Sequence, residues 1–306
     1  MIAVVARQQL QSLRRQRVFV VTVGILLSMT ALAGLIGWSS HTTILRVYDE
    51  ATRYLAAQGR AAPPNPIDLK PSLALLANME IYIPLIGALL ALIVGHLAMA
   101  DDATTGIGRL LFSRPLPRPA YVAGKALAVA IALAGTLLAC AVVSAVEVGL
   151  VNHAAPSLGE LGRIGLFYAL SWLYLLAFAV VGMVAVLLTD RRPLALLGAL
   201  GVWLVVTFAM PEFTSGLHPV ASLNPVVDPV STSQRLFQIT AHARGASLFE
   251  QYKAASAQLL AIDPVREPWG QIALRALPIA ALAAVAGAAG AWLVGRHDYS
   301  KGASDA

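Results

Sequence analysis

The stretch GRLLFSRPLPRPAYVAGK (Gly108–Lys125) decides how the rest of the chain is read. It sets Arg109, Arg114, Arg118 and Lys125 among Pro115, Pro117 and Pro119, yet apolar runs lie on both sides of it. Its final Gly-Lys pair matches half of a phosphate-binding loop, which would require a preceding strand and a nucleotide-binding fold. The Walker pattern G-x-x-x-x-G-K-[ST] fails at both ends. Pro119 stands where the first glycine belongs, and Ala126 where a hydroxyl would meet magnesium. The stretch is therefore a charged, proline-bounded connection between two apolar segments.

Those segments set the class. The 306 residues are 58% hydrophobic and only 12% charged, with a mean hydropathy of +0.72. A soluble chain carries about twice that charge fraction. Crossing the hydrocarbon as a helix takes about 20 apolar residues. Six segments qualify, at 18–38, 81–100, 121–146, 164–188, 193–210 and 272–294, the fifth being the shortest. The expected fold is an all-α integral membrane protein forming a single transmembrane domain over residues 1–306.

Lys and Arg placement orients the spans. With the N-terminus in the cytoplasm, the inner loops and tails hold twelve of the 22 basic residues in a much shorter length of chain than the outer ten. Both termini are expected in the cytoplasm. Residues 1–17 place Ala3, Ala6, Leu10 and Leu13 at helical spacing, with Arg7, Gln8, Gln11, Arg14 and Arg15 elsewhere on the wheel. That pattern predicts an amphipathic helix in the inner interface, against the alternative of a frayed basic tail. A secretory signal ending at Ala31-Leu32-Ala33 is the other reading of this end, opposed by apolar sequence that continues to Trp38. Residues 39–80 and 211–271 become external loops. The first is broken by AAPPNP (Ala61–Pro66). The second carries two helix-like stretches, Ser231–Ala243 and Ser247–Ile262, whose Leu236, Ile239, Phe249, Tyr252, Leu259 and Leu260 are expected to pack as a small cap.

Chemistry-bearing patterns are few. No His lies at i+3 or i+4 from another His or a carboxylate in a zinc-like arrangement, and no Ser-His-Asp, HExxH or GxSxG pattern occurs. Cys140 is the single cysteine, which excludes an intrachain disulfide and any cysteine-based metal site. The +6 net charge has no accompanying nucleic-acid motif. His96, inside the second span, reads as a polar contact to a neighbouring helix. Charges deep in a membrane flag function by default, and this chain has almost none: Glu80 and Glu147 fall at outer span ends, where water is expected to reach them, and Arg275 lies one turn inside the sixth span. The absence of mid-span carboxylates argues against ion-coupled transport and for an energy source outside the membrane. In the sixth span Ala276, Ala280, Ala284 and Ala288, with Gly287 and Ala291, form small-residue pairs that permit close helix contact. The alternative is an alanine-rich sequence without a packing role.

The sequence ADDATTGIGRLLFSRPLPRPAYVAGK (Ala100–Lys125) resembles the permease subunits of ABC-2 class ATP-binding cassette transporters, with a type V exporter-like plan. The positions that carry the likeness are Asp101, Asp102, Gly106, Leu110, Leu111, Ser113-Arg114-Pro115, Arg118 and Gly124-Lys125. Ala103-Thr104 and Ile107 depart from the residues frequent in that family. The resemblance implies that residues 101–120 form a cytoplasmic coupling region with a short helix near Asp102–Ser113. Asp101, Asp102, Thr105, Gly106, Arg109, Leu110 and Arg114 are the candidate contacts to an ATPase; the alternative is a solvated positive-inside loop.

It further implies a permease subunit of the bacterial cytoplasmic (inner) membrane that translocates or extracts a substrate, working with two copies of a cytoplasmic ATPase and a second permease, expected as a homodimer. This chain has no nucleotide-binding or catalytic motif of its own. ATP and magnesium are expected on the partner, with membrane lipids as the other neighbours and nucleic acid as none. The competing reading is an ABC-like complex doing mechanical or assembly work on an extracytoplasmic protein held at the 211–271 loop.

Overall fold

The structure, a computed structural model, describes residues 1–65, 71–104, 117–189, 191–218, 226–227, 235–263 and 265–296, the side chains of 101–104, 118, 217–218, 226–227 and 296 excepted. Among the described residues it is helical save for one two-residue antiparallel pairing, Leu217 with Val227 and His218 with Val226, and the short connections. Six helical segments among the described residues are long and apolar enough to cross a membrane.

Helix α1 (Ile2–Arg15) ends on two arginines, which suit its negative C-terminal dipole end. It buries Val5, Ala6, Gln9 and Leu13. Ala3, expected on the apolar face, is exposed, because the helix turns Val5 and Ala6 toward the protein. Extended Gln16 separates it from α2 (Arg17–Ala57).

At 41 residues α2 is twice what a hydrocarbon crossing needs. The polar run after Trp38 reads as the start of a loop, but it contains no Gly or Pro before Gly59. His41, Ile44, Leu45, Tyr48, Thr52 and Leu55 also keep a half-buried helical face. The helix stops where a residue can take left-handed geometry: Gly59 has φ +70°, with Gly59 N–H donating to Ala56 and Arg60 N–H to Leu55. That pair of bonds is a Schellman cap.

The second span combines α3 (Met79–Tyr82), a π-helical turn (Ile83–Gly87) containing Pro84, and α4 (Ala88–Thr104). The third is α5 (Arg118–Asn152). The fourth, α6 (Leu158–Leu188), opens on a capping box in which Glu160 N–H donates to Ser157 Oγ at 3.2 Å and Ser157 N–H to Glu160 Oε2 at 2.8 Å. The fifth joins α7 (Arg192–Leu204), a second π turn (Val205–Ala209) and α8 (Met210–Ser215). The sixth is α11 (Trp269–Arg296), with Pro278 inside it.

The second and fourth spans form the centre and are the most buried, the fifth and sixth the least. They cross almost backbone to backbone. A Cβ on Gly95 would lie 1.9 Å from the Ala179 carbonyl oxygen, and one on Gly182 2.1 Å from that of Leu92. His96, 5% exposed, lies at this crossing. The small-residue face expected in the sixth span is used only in part inside the chain: Ala276 and Ala280 are half-buried, Ala276 against the core, whereas Ala284, Gly287, Ala288 and Ala291 are exposed.

Candidate functional site

Two ends of the bundle hold polar side chains in defined places. One is the end where α1 lies and where the second and third spans are joined. Helix α4 runs through Asp101 and Asp102 to Thr104, so both aspartates sit on its last turn. Thr105, Gly106, Arg109, Leu110 and Arg114 lie outside the described residues, as does the expected short helix beyond 104.

The two roots of that connection are described. Lys125, on α5, is only 2% exposed, and its ammonium donates a hydrogen bond to the Ala98 carbonyl of α4. It also lies 5.1 Å from the centroid of the Tyr121 ring, within cation–π range. A Cβ on Gly124 would come within 2.7 Å of Val5 Cβ and 3.0 Å of the Ile2 carbonyl, so glycine is what lets α1 rest on α5. Val5, Met99, Tyr121, Met183, Leu187 and Val294 form their own apolar cluster around this contact.

The other end is closed by a cap built from α9 (Arg235–Thr240), a 3₁₀ turn (Ala241–Ala246) and α10 (Leu248–Leu259). Helix α10 inserts between the spans. Phe249, Tyr252 and Leu260 are fully buried, and the Tyr252 hydroxyl is 2.8 Å from Ser171 Oγ on α6. Burial raises the Tyr252 hydroxyl pKa, and burial likewise lowers that of the neighbouring Lys253 ammonium, which Glu80 and Glu250 oppose.

Glu250 accepts from Thr214 and Ser215 on α8, each at 2.5 Å, and pairs with Arg244 at 3.4 Å. Arg163 of α6 donates to the carbonyls of Gln258 at 3.1 Å and Leu259 at 3.3 Å, the last turn of α10, with its guanidinium 5.5 Å from the Trp269 ring. Arg275 Nε donates to Glu267 Oε2 at 2.8 Å, a second bond joins Nη2 to Oε1, and Nη1 reaches Gln251 at 3.3 Å. The hydrogen bond from Arg275 holds the Glu267 carboxyl below the usual range.

Two expectations change here. Glu80 is 6% exposed, because the inserted cap covers the start of the second span and keeps water from it. Leu236 and Ile239 do not pack into the cap; they are 56% and 62% exposed, since α9 turns Phe237 and Thr240 inward instead. Arg275, inside the sixth span as expected, is held by Glu267 of the preceding connection and reaches the cap through Gln251. The buried role of Lys125 is one that sequence reasoning misses. Its signal is a lysine one turn after Tyr121, inside an apolar run and preceded by a glycine.

Six membrane-length helices, a charged connection at one end and a helical cap at the other define a multi-pass α-helical membrane protein. The family model for ABC-2 family transporter protein matches residues 3–299, nearly the whole chain, and the protein belongs to that family. It is accordingly the membrane-spanning component, or permease, of an ABC transporter. No curated protein sequence matches the chain significantly.

Proposed function

We propose that this permease works as a homodimer with two cytoplasmic ATPase subunits and moves or extracts a substrate across a bacterial inner membrane, both termini lying in the cytoplasm. ATP and magnesium belong to the partner, whose nucleotide-driven closure pushes on residues 101–120. Asp101, Asp102, Thr105, Gly106, Arg109, Leu110 and Arg114 make that contact. The observation that carries the reading is the family match over residues 3–299. The basic residues of the connection at 109–125 support the orientation by the positive-inside rule. The sparse burial of the fifth and sixth spans supports a second copy there, sharing those faces with lipid.

A second reading is favoured by the cap, whose exposed Leu236 and Ile239 present an apolar edge. On that reading the complex does ATP-driven mechanical or assembly work on an extracytoplasmic protein held at residues 211–271.

Co-purification tests the lead reading. Tagged permease should bring down a nucleotide-binding subunit, and charge reversal at Asp101, Asp102, Arg109 and Arg114 together should abolish the association. Recovery of the permease without any ATPase, or an association indifferent to the reversals, sinks it. Stimulation of ATP turnover by lipids, peptides or drugs, against stimulation by a purified external protein, separates the two readings.

A further inference from the structure

We propose that Lys125 is a positioning residue: it clasps the two roots of the 105–116 connection and, with Gly124, locks them to α1, so that a push on the connection moves α1 and the first turns of the third span together. This rests on the ATPase docking at that connection.

The physical case starts from cost. Taking an ammonium out of water costs several kcal/mol even after relaxation, and Lys125 is 2% exposed. A methionine of similar length would fill the same space without that cost, so packing alone does not call for a charge. What the charge adds is direction. Its ammonium bonds the Ala98 carbonyl, on the α4 helix that ends at Thr104. A carbonyl has two lone pairs, so this bond coexists with the α4 ladder and fixes the end of the second span against the start of the third.

The Tyr121 ring, 5.1 Å from the ammonium and 4% exposed, holds the side chain from below. The residue before Lys125 completes the block. Because Gly124 lets Val5 and the Ile2 carbonyl approach its Cα face, α1 has no gap in which to slide relative to α5. Met183 and Leu187 of α6 and Val294 of α11 close the same cluster. Five chain segments thus meet around one clasp, beside the connection.

The test uses full-length permease with its co-purified ATPase. Lys125→Met, Lys125→Arg and Gly124→Ala are compared for ATPase affinity, for ATP turnover of the complex and for permease melting in detergent. Lys125→Met should weaken ATPase binding or depress coupled turnover about tenfold, equivalent to 1.4 kcal/mol, while its melting temperature stays close to wild type. Lys125→Arg should retain more of the coupling than Lys125→Met, since it keeps the charge and a donor. Gly124→Ala, which leaves the lysine in place, should also depress coupling by lifting α1.

Wild-type affinity and turnover in Lys125→Met overturn the proposal, as does a loss of activity only in step with a loss of melting temperature. Should Lys125→Met fail to fold, Gly124→Ala decides: full coupling there overturns it. If the wild-type permease binds no ATPase, the functional reading itself fails, which is a separate result.

Discussion

Replacing Gly182 by alanine should destabilise the protein, although alanine is the better helix former. The added Cβ would lie 2.1 Å from the Leu92 carbonyl oxygen and 3.0 Å from the His96 nitrogen, both backbone atoms of α4. Ordinary contact begins near 3.4 Å, so α4 and α6 must part by about 1 Å at their crossing, an overpacking cost of about 1–3 kcal/mol. Alanine returns about 0.5–1 kcal/mol of helix propensity. At the midpoints of these ranges the net is a loss of about 1 kcal/mol, or about 2 °C of melting temperature for a chain of this size.

Gly165 is the control. It lies on α6 as Gly182 does, and a methyl added to it would have nothing within 4 Å, so alanine there should be neutral or slightly stabilising. Melting followed by size-exclusion of detergent-solubilised protein reads both. Equal or greater stability of Gly182→Ala relative to Gly165→Ala would refute the close crossing.

The ends of the cap give two further tests. Glu267, held below its ordinary value of 4.5 by the Arg275 hydrogen bond, contributes stability that is present above that value and lost as pH falls through its lower folded value. Glu267→Gln should therefore cost about 1 kcal/mol at pH 7, and the gap to wild type should close at acidic pH; a gap that persists once Glu267 is protonated would contradict the pairing. Arg163→Ala should remove the donors to Gln258 and Leu259 and the stacking on Trp269. Hydrogen exchange across Leu248–Leu259 should then rise roughly tenfold, the effect of about 1.4 kcal/mol of local opening. Unchanged exchange there would mean Arg163 does not hold the cap.

Hydropathy finds the six membrane-length helices because lipid demands continuous apolar length, and that demand is written residue by residue. It cannot place their ends, which are set by caps. Gly59 carries α2 far beyond Trp38, and Ser157 with Glu160 starts α6 before the apolar run at Ile164 begins. Packing is harder to read. Small residues mark close contact only when a partner meets them: Gly95 and Gly182 have one, whereas Gly287 has nothing within 4 Å.

The same holds for charge. In sequence Lys125 is one more inside cation, and only the third dimension brings it to Ala98. Glu80 reads as wetted because nothing in its neighbourhood in sequence announces that the far later residues of α10 will cover it. The cap is visible as two amphipathic stretches, but the sequence does not show that α9 turns Phe237 and Thr240 inward rather than Leu236 and Ile239. The candidate coupling residues are legible only through family resemblance, since no spacing rule distinguishes an ATPase-binding loop from a solvated basic one.

The most direct measurement of the central claim is site-specific photocrosslinking in cells expressing the full complex, with the crosslinking amino acid at Arg109 in one strain and at Leu236 in another. The account predicts a crosslink from Arg109, and none from Leu236, to a subunit bearing a Walker A motif. A nucleotide-binding subunit captured from Leu236, or none captured from Arg109 while the complex remains assembled, would contradict it.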